Sequence, residues 1–187
     1  MFLLIAGLLL WSLVHLFTSV APQQRQRLRA GLGAQVYRAF YSALILLSLV
    51  LIVFGWRNSP PVSLYAPPGW GYLLTPVMML LALVLLVAAN APGHIRQMLR
   101  HPMLTGVVVW ALAHLLVNGE SRSLFLFGTL AVWAILEMLL INRRDGPRPP
   151  VAATWSADIV AVAGGIVLFA ALGWLHPVFT GRAALPF

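Results

Sequence analysis

The chain of 187 residues contains neither cysteine nor lysine. Without cysteine there are no disulfides, thiolate metal ligands or thiol nucleophiles. Without lysine there is no Schiff base and no lysine acting as general base. Charge is scarce at 9 % of residues, and the acidic side chains are only Glu120, Glu137, Asp145 and Asp158. No H-E-x-x-H, Walker A or G-x-G-x-x-G element occurs, so the familiar zinc-protease, P-loop and dinucleotide-binding readings have no residues to stand on.

Apolar residues fill most of the space that charge leaves. They make up 61 % of the chain, and the mean hydropathy is +0.91. These values describe a polytopic membrane protein and not a water-soluble domain. The formal net charge of +8 is carried entirely by arginine. The arginines gather in short loops of one side, which points to membrane orientation and contact with anionic lipids, and away from nucleic acid. The first twenty residues lack the positive start of a signal peptide, and Pro22 follows the candidate cleavage site at Ala21. They read as a retained first helix.

Runs long enough to cross a hydrocarbon layer of about 30 Å fall near 2–20, 37–55, 73–90, 102–118, 123–142 and 157–175. The predicted fold is all-α: one domain over 1–187, a multi-pass helical bundle with about six transmembrane helices. Arg25, Arg27, Arg29, Arg96, Arg100, Arg143, Arg144 and Arg148 lie after spans one, three and five, with Arg38 at the start of span two; Arg57, Arg122 and Arg182 face the other way. This bias makes the rich side cytoplasmic, puts both termini at the periplasm or exterior, and fits a bacterial inner (plasma) membrane. Trp56, Trp70, Tyr72 and Trp174 fall at span borders, as interfacial aromatics do.

The segment from Arg100 to Glu120 stands out. Pro102 suits the first turn of a helix and Gly119 its end; the helix carries His101 at its mouth and His114 inside. Thirteen residues separate the two histidines, about 20 Å of helix, so they do not share one iron. Trp110-Ala-Leu-Ala-His114-Leu115 repeats Trp11-Ser-Leu-Val-His15-Leu16 in span one. Both read W-x-x-x-H-L, with Trp one turn before His on the same face. Spans three and six also rhyme loosely, which would make the halves inverted repeats of three spans.

Depth along the helices sorts the polar residues. His15, Glu137, Asp158, His94, His101, Arg38 and Arg100 fall in an inner layer; His114, Asn118, Glu120 and His176 fall in an outer one. On straight helices His15 and His114 differ in depth by about 14 Å. By depth alone His15 goes with His94 or His101, and His114 with His176. Histidines among apolar helices and aromatics suit haem iron, with arginines such as Arg38 for the propionates. The alternative is a histidine hydrogen-bonded across helices, which is favoured for His94 and His176. Glu137 reads as a partner for a neighbouring Arg or His, or as a proton-transfer group. Gly164-Gly165 reads as a helix-packing site.

At R-H-P-M-L-T-G…W-A-L-A-H-L-L-V-N-G-E…L-F-G the chain resembles the NnrU family, small membrane proteins associated with nitrite and nitric oxide reduction. The resemblance extends over nearly the whole chain, including His15-Leu16, Gly33 to Arg38, the Trp133 region and Arg143-Arg144. It implies an integral membrane protein that supports denitrification, with nitrite or nitric oxide reductase machinery as partner. The same pattern is similar to the plastid zeta-carotene isomerase, which carries haem b. That likeness implies a haem whose iron ligands fall on His15 and His114, and a cis/trans isomerase of a polyene as second function; His94 and His176 are the alternative ligands that depth offers. R-H-P-x-x-x-G also resembles membrane methyltransferases that use S-adenosylmethionine. Their later paired glutamates and tyrosine are missing here, where Glu137 stands alone.

Overall fold

The computed structural model describes residues 1–148, 152–181 and 184. Arg182, counted above on the arginine-poor side, lies outside them. Among the described residues there are eight helices and no strand: α1 (Phe2–Val20), α2 (Pro22–Leu32), α3 (Ala34–Arg57), α4 (Gly71–Ala88), α5 (His94–Met98), α6 (Pro102–Leu115), α7 (Ser121–Asp145) and α8 (Trp155–Thr180). Five of them, α1, α3, α4, α7 and α8, are long and apolar enough to cross a membrane. Only 11 % to 28 % of the apolar window in each is buried within the protein. That leaves more bare apolar surface than water tolerates, so hydrocarbon is the fitting solvent.

The fourth expected span is shorter than its sequence pattern. Helix α6 has 14 residues, about 21 Å of rise, and stops at Leu115 instead of 118. The backbone just beyond it is committed elsewhere: the Leu64 amide donates to the Gly119 carbonyl at 2.8 Å, and the Ser121 amide donates to Val62 at 2.8 Å. The loop over 58–70 thus folds down on the turn between α6 and α7. Residues with their N–H and C=O groups used in this way do not extend a helix. Pro102 occupies the first turn of α6 as its missing N–H allows.

Two helices fall where loops were expected. Helix α2 follows α1 directly, with Pro22 in its first turn, and none of its residues is buried. Its polar sequence gives no apolar periodicity to read. Helix α5 is a single turn whose first amides are held by Asp158.

The long helices pack in the order α3, α1, α7, α6, α4, α8. Glycine sets two of these crossings. A Cβ at Gly55 would lie 2.2 Å from the Leu4 nitrogen, so α3 meets α1 backbone to backbone. A Cβ at Gly165 would lie 2.8 Å from the Val84 Cα, so the Gly164-Gly165 pair packs α8 on α4 as read from the sequence. Helix α7 lies between α1 and α6. Leu126 and Leu130 join the core formed by Leu4, Leu8 and Ile52, while Phe127 and Ala131 pack with Ala111 of α6.

Candidate functional site

Both W-x-x-x-H segments fold the same way. In α1 the His15 Nδ1 lies 2.9 Å from the Trp11 carbonyl oxygen, and the two rings are 4.3 Å apart. In α6 the His114 Nδ1 lies 2.9 Å from the Trp110 carbonyl oxygen, with the rings 4.9 Å apart. A carbonyl only accepts, so Nδ1 carries the proton and donates it. In a neutral ring this leaves the lone pair on Nε2. No hydrogen bond to either Nε2 is made among the described residues.

Around His15 the elements α1, α3 and α7 converge. Its ring centroid is 5.0 Å from that of Trp133 and 6.2 Å from that of Tyr41, and Trp11 meets Trp133 edge-on at 5.6 Å. Tyr37 stacks on Tyr41 at 6.2 Å. Glu137 is buried beside them and accepts a hydrogen bond from the Ser19 hydroxyl. Its other oxygen, Oε2, has no partner among the described residues; neither do Trp11 Nε1, Trp133 Nε1, Tyr37 Oη and Ser12 Oγ, all buried. Buried polar atoms are nearly always satisfied, so five such atoms on α1, α3 and α7 stand out.

His114 has a drier setting. It stacks on Phe127 at 4.4 Å, and Trp110 meets Phe127 at 4.9 Å. Asn118 donates to the His114 carbonyl at 2.9 Å, and His176 lies within electrostatic range. His15 and His114 therefore touch α7 at different residues, Trp133 and Phe127, about 9 Å apart along the helix. They sit in separate aromatic clusters.

The other inner-layer residues are not gathered around His15. The His94 Nδ1 lies 2.7 Å from Asp158 Oδ2, and Trp155 covers the His94 ring at 4.1 Å. Asp158 also accepts the backbone amides of His94 at 2.9 Å and Ile95 at 3.0 Å. His101 meets Asn142, Nε2 to Oδ1, at 2.9 Å. Arg100 donates to the Gly146 carbonyl at 2.6 Å. Arg38 is exposed and its Nε turns back to the Ala34 carbonyl at 3.2 Å. No group of three or more metal-ligating side chains forms among the described residues.

The opposite end holds a locked loop. Arg122 donates to Glu120 at 2.9 Å and stands 4.0 Å over the Trp56 ring. Tyr65 donates its hydroxyl to the Leu115 carbonyl and reaches the Asn118 carbonyl at 3.1 Å; burial raises its phenol above the ordinary tyrosine value. Sequence reasoning missed the Ser19–Glu137 contact and this Trp56–Arg122–Glu120 group, because each joins residues more than sixty positions apart with no shared motif.

A family model described as NnrU protein matches residues 3–184 of the chain. Comparison with curated proteins and with solved structures gives no match.

Proposed function

The chain belongs to the NnrU family over nearly its whole length, and on that footing we propose that it is a multi-pass inner-membrane protein that binds haem b and supports nitrite and nitric oxide reduction. In this reading α6 completes a sixth crossing, the arginine-rich end is cytoplasmic, and both termini lie outside. The observation that carries the haem assignment is the doubled W-x-x-x-H unit. Each histidine ties Nδ1–H to a backbone carbonyl and leaves Nε2 unengaged. Iron-ligating histidines are prepared in this way, because the second hydrogen bond fixes tautomer and ring direction.

The residues present fit the group. His15 and His114 each offer a nitrogen ligand in a separate aromatic cluster, walled by Trp11, Trp133 and Tyr41 in the first and by Trp110 and Phe127 in the second, and exposed Arg38 near the start of α3 would be a cation for a propionate. Bound haem supplies one-electron chemistry or a site for a small diatomic molecule. The protein's own share is to orient the two rings, exclude water with the tryptophans, and hold a proton at Glu137 or Ser19 next to His15. The polyene isomerase reading draws on the same histidines.

Protein purified in detergent and reconstituted with haem should show a Soret band. Single His15→Ala and His114→Ala substitutions should each change it. A colourless protein after reconstitution overturns the proposal. Loss of the band with His15→Ala alone would assign the iron to the α1–α3–α7 cluster and exclude a shared pair. Denitrifying cells lacking the protein should consume nitrite and nitric oxide more slowly; an unchanged rate would remove the denitrification role.

A further inference from the structure

At the arginine-rich end, α2 and the end of α7 enclose a pocket of about 290 Å³ lined by Pro22, Arg25, Gln26, Arg29 and Arg144. Arg25 and Arg29 are four residues apart and share one face of α2. Like charges at that spacing repel, so the helix is less stable with this face empty of anions. Asp145, next to Arg144 in the chain, is already used: it takes Arg144 through both oxygens, Nε to Oδ1 at 2.7 Å and Nη2 to Oδ2 at 3.1 Å. Arg144 is further held by the Thr18 carbonyl at 3.2 Å. No carboxylate among the described residues pairs with Arg25 or Arg29. The pocket therefore presents two uncompensated guanidinium groups beside a third that is fixed in place. Guanidinium forks match the paired oxygens of a phosphate.

The source of that phosphate is indicated by the neighbouring face of the same helix. Leu28 and Leu32 are 47 % and 48 % exposed, and they lie beside the Arg25–Arg29 row on the helical wheel. Helix α2 joins two apolar spans, α1 and α3, at their border. A short helix with leucines beside arginines at that position lies in the membrane interface, leucines toward the acyl chains and arginines at headgroup level. We propose that the Arg25–Arg29–Arg144 pocket is a binding site for the phosphate of an anionic phospholipid, and that this lipid seats α2 against α7.

The test uses the full chain, delipidated in a neutral detergent and titrated with phosphatidylglycerol, phosphatidylcholine or inorganic phosphate under native mass spectrometry. Phosphatidylglycerol should bind as a single tight adduct. Each cation at an anionic membrane surface is worth about five-fold in affinity, so Arg25→Gln with Arg29→Gln should weaken the adduct roughly twenty-five-fold. Arg27→Gln, on the same helix outside the pocket, should change it by less than about two-fold. Equal losses for Arg27→Gln would reduce the site to diffuse surface charge and overturn the proposal. So would equally tight phosphatidylcholine, or displacement of the lipid by inorganic phosphate at matched concentration, which would make the ligand a soluble phosphate. Helix content by circular dichroism confirms that the variants are folded, and Arg25→Lys with Arg29→Lys should recover only part of the affinity, because an ammonium keeps the charge without the fork.

Discussion

Ser19 is a residue with no evident role in the sequence and a specific one in the structure. Its hydroxyl satisfies one oxygen of Glu137, while the second has no partner among the described residues. Removing the hydroxyl leaves a carboxyl group in a dry site with neither oxygen bonded. A single polar contact between membrane helices is worth about 1 kcal/mol, so Ser19→Ala should lower the melting temperature in detergent measurably. Glu137→Gln keeps an acceptor for Ser19 and should cost less. An unchanged melting temperature for Ser19→Ala would mean that the Ser19–Glu137 contact contributes nothing. The two tryptophan-histidine pairs are the residue-scale feature that was legible in advance. A histidine four residues after a tryptophan in a helix lies on the same face, so the pairing of the two rings follows from spacing.

Among the elements, α7 does the most joining. An arginine in its first turn ties it to α3: Arg122 reaches the carbonyls of Trp56 at 3.3 Å and Ser59 at 3.4 Å while holding Glu120. The side chains of Arg122 and Glu120 are only 12 % and 13 % exposed. Removing Arg122 takes the charge-assisted hydrogen bond from Glu120 and leaves it the Ser123 hydroxyl at 3.3 Å, at a cost of about 2 kcal/mol. Arg122→Leu should therefore lower the melting temperature far more than Arg57→Leu, which breaks no such pairing. Comparable losses in both would sink this account. The long helices were readable because apolar runs bounded by arginine, proline and glycine carry their own ends. The end of α6 was not, because a loop fifty residues earlier takes the backbone of Asn118 and Gly119. Helix α2 was hidden for the opposite reason: it has almost no apolar stripe, and its helical state rests on Pro22, good helix formers and its contacts with α1 and α3.

At the scale of the molecule, the arginine distribution becomes a spatial one. Arg144 meets Thr18 at the end of α1, Arg100 meets Gly146 after α7, and Arg148 donates to carbonyls of Arg96 and Leu99. The arginine-rich segments thus meet at one end of the bundle. The lack of native cysteine makes the proposed orientation simple to test. A membrane-impermeant thiol reagent applied to intact spheroplasts should label Ser63→Cys, and should label Arg27→Cys only after permeabilisation. The reverse pattern would invert the topology.

Composition and order along the chain determined that this protein is helical, apolar and multi-pass, because hydrocarbon-length runs and one-sided arginine are local or additive properties. They also determined the two histidine units, which need only one helical turn each. Tertiary structure alone decided their surroundings. It placed His15 with Trp133, Tyr41 and Glu137, gave His114 to Phe127, and sent His94 to Asp158 and His101 to Asn142. Apolar helices of similar composition pack in many orders with nearly equal burial. The order found here is set by backbone-close crossings such as those at Gly55 and Gly165 and by a few polar contacts, and neither announces its partner in the sequence.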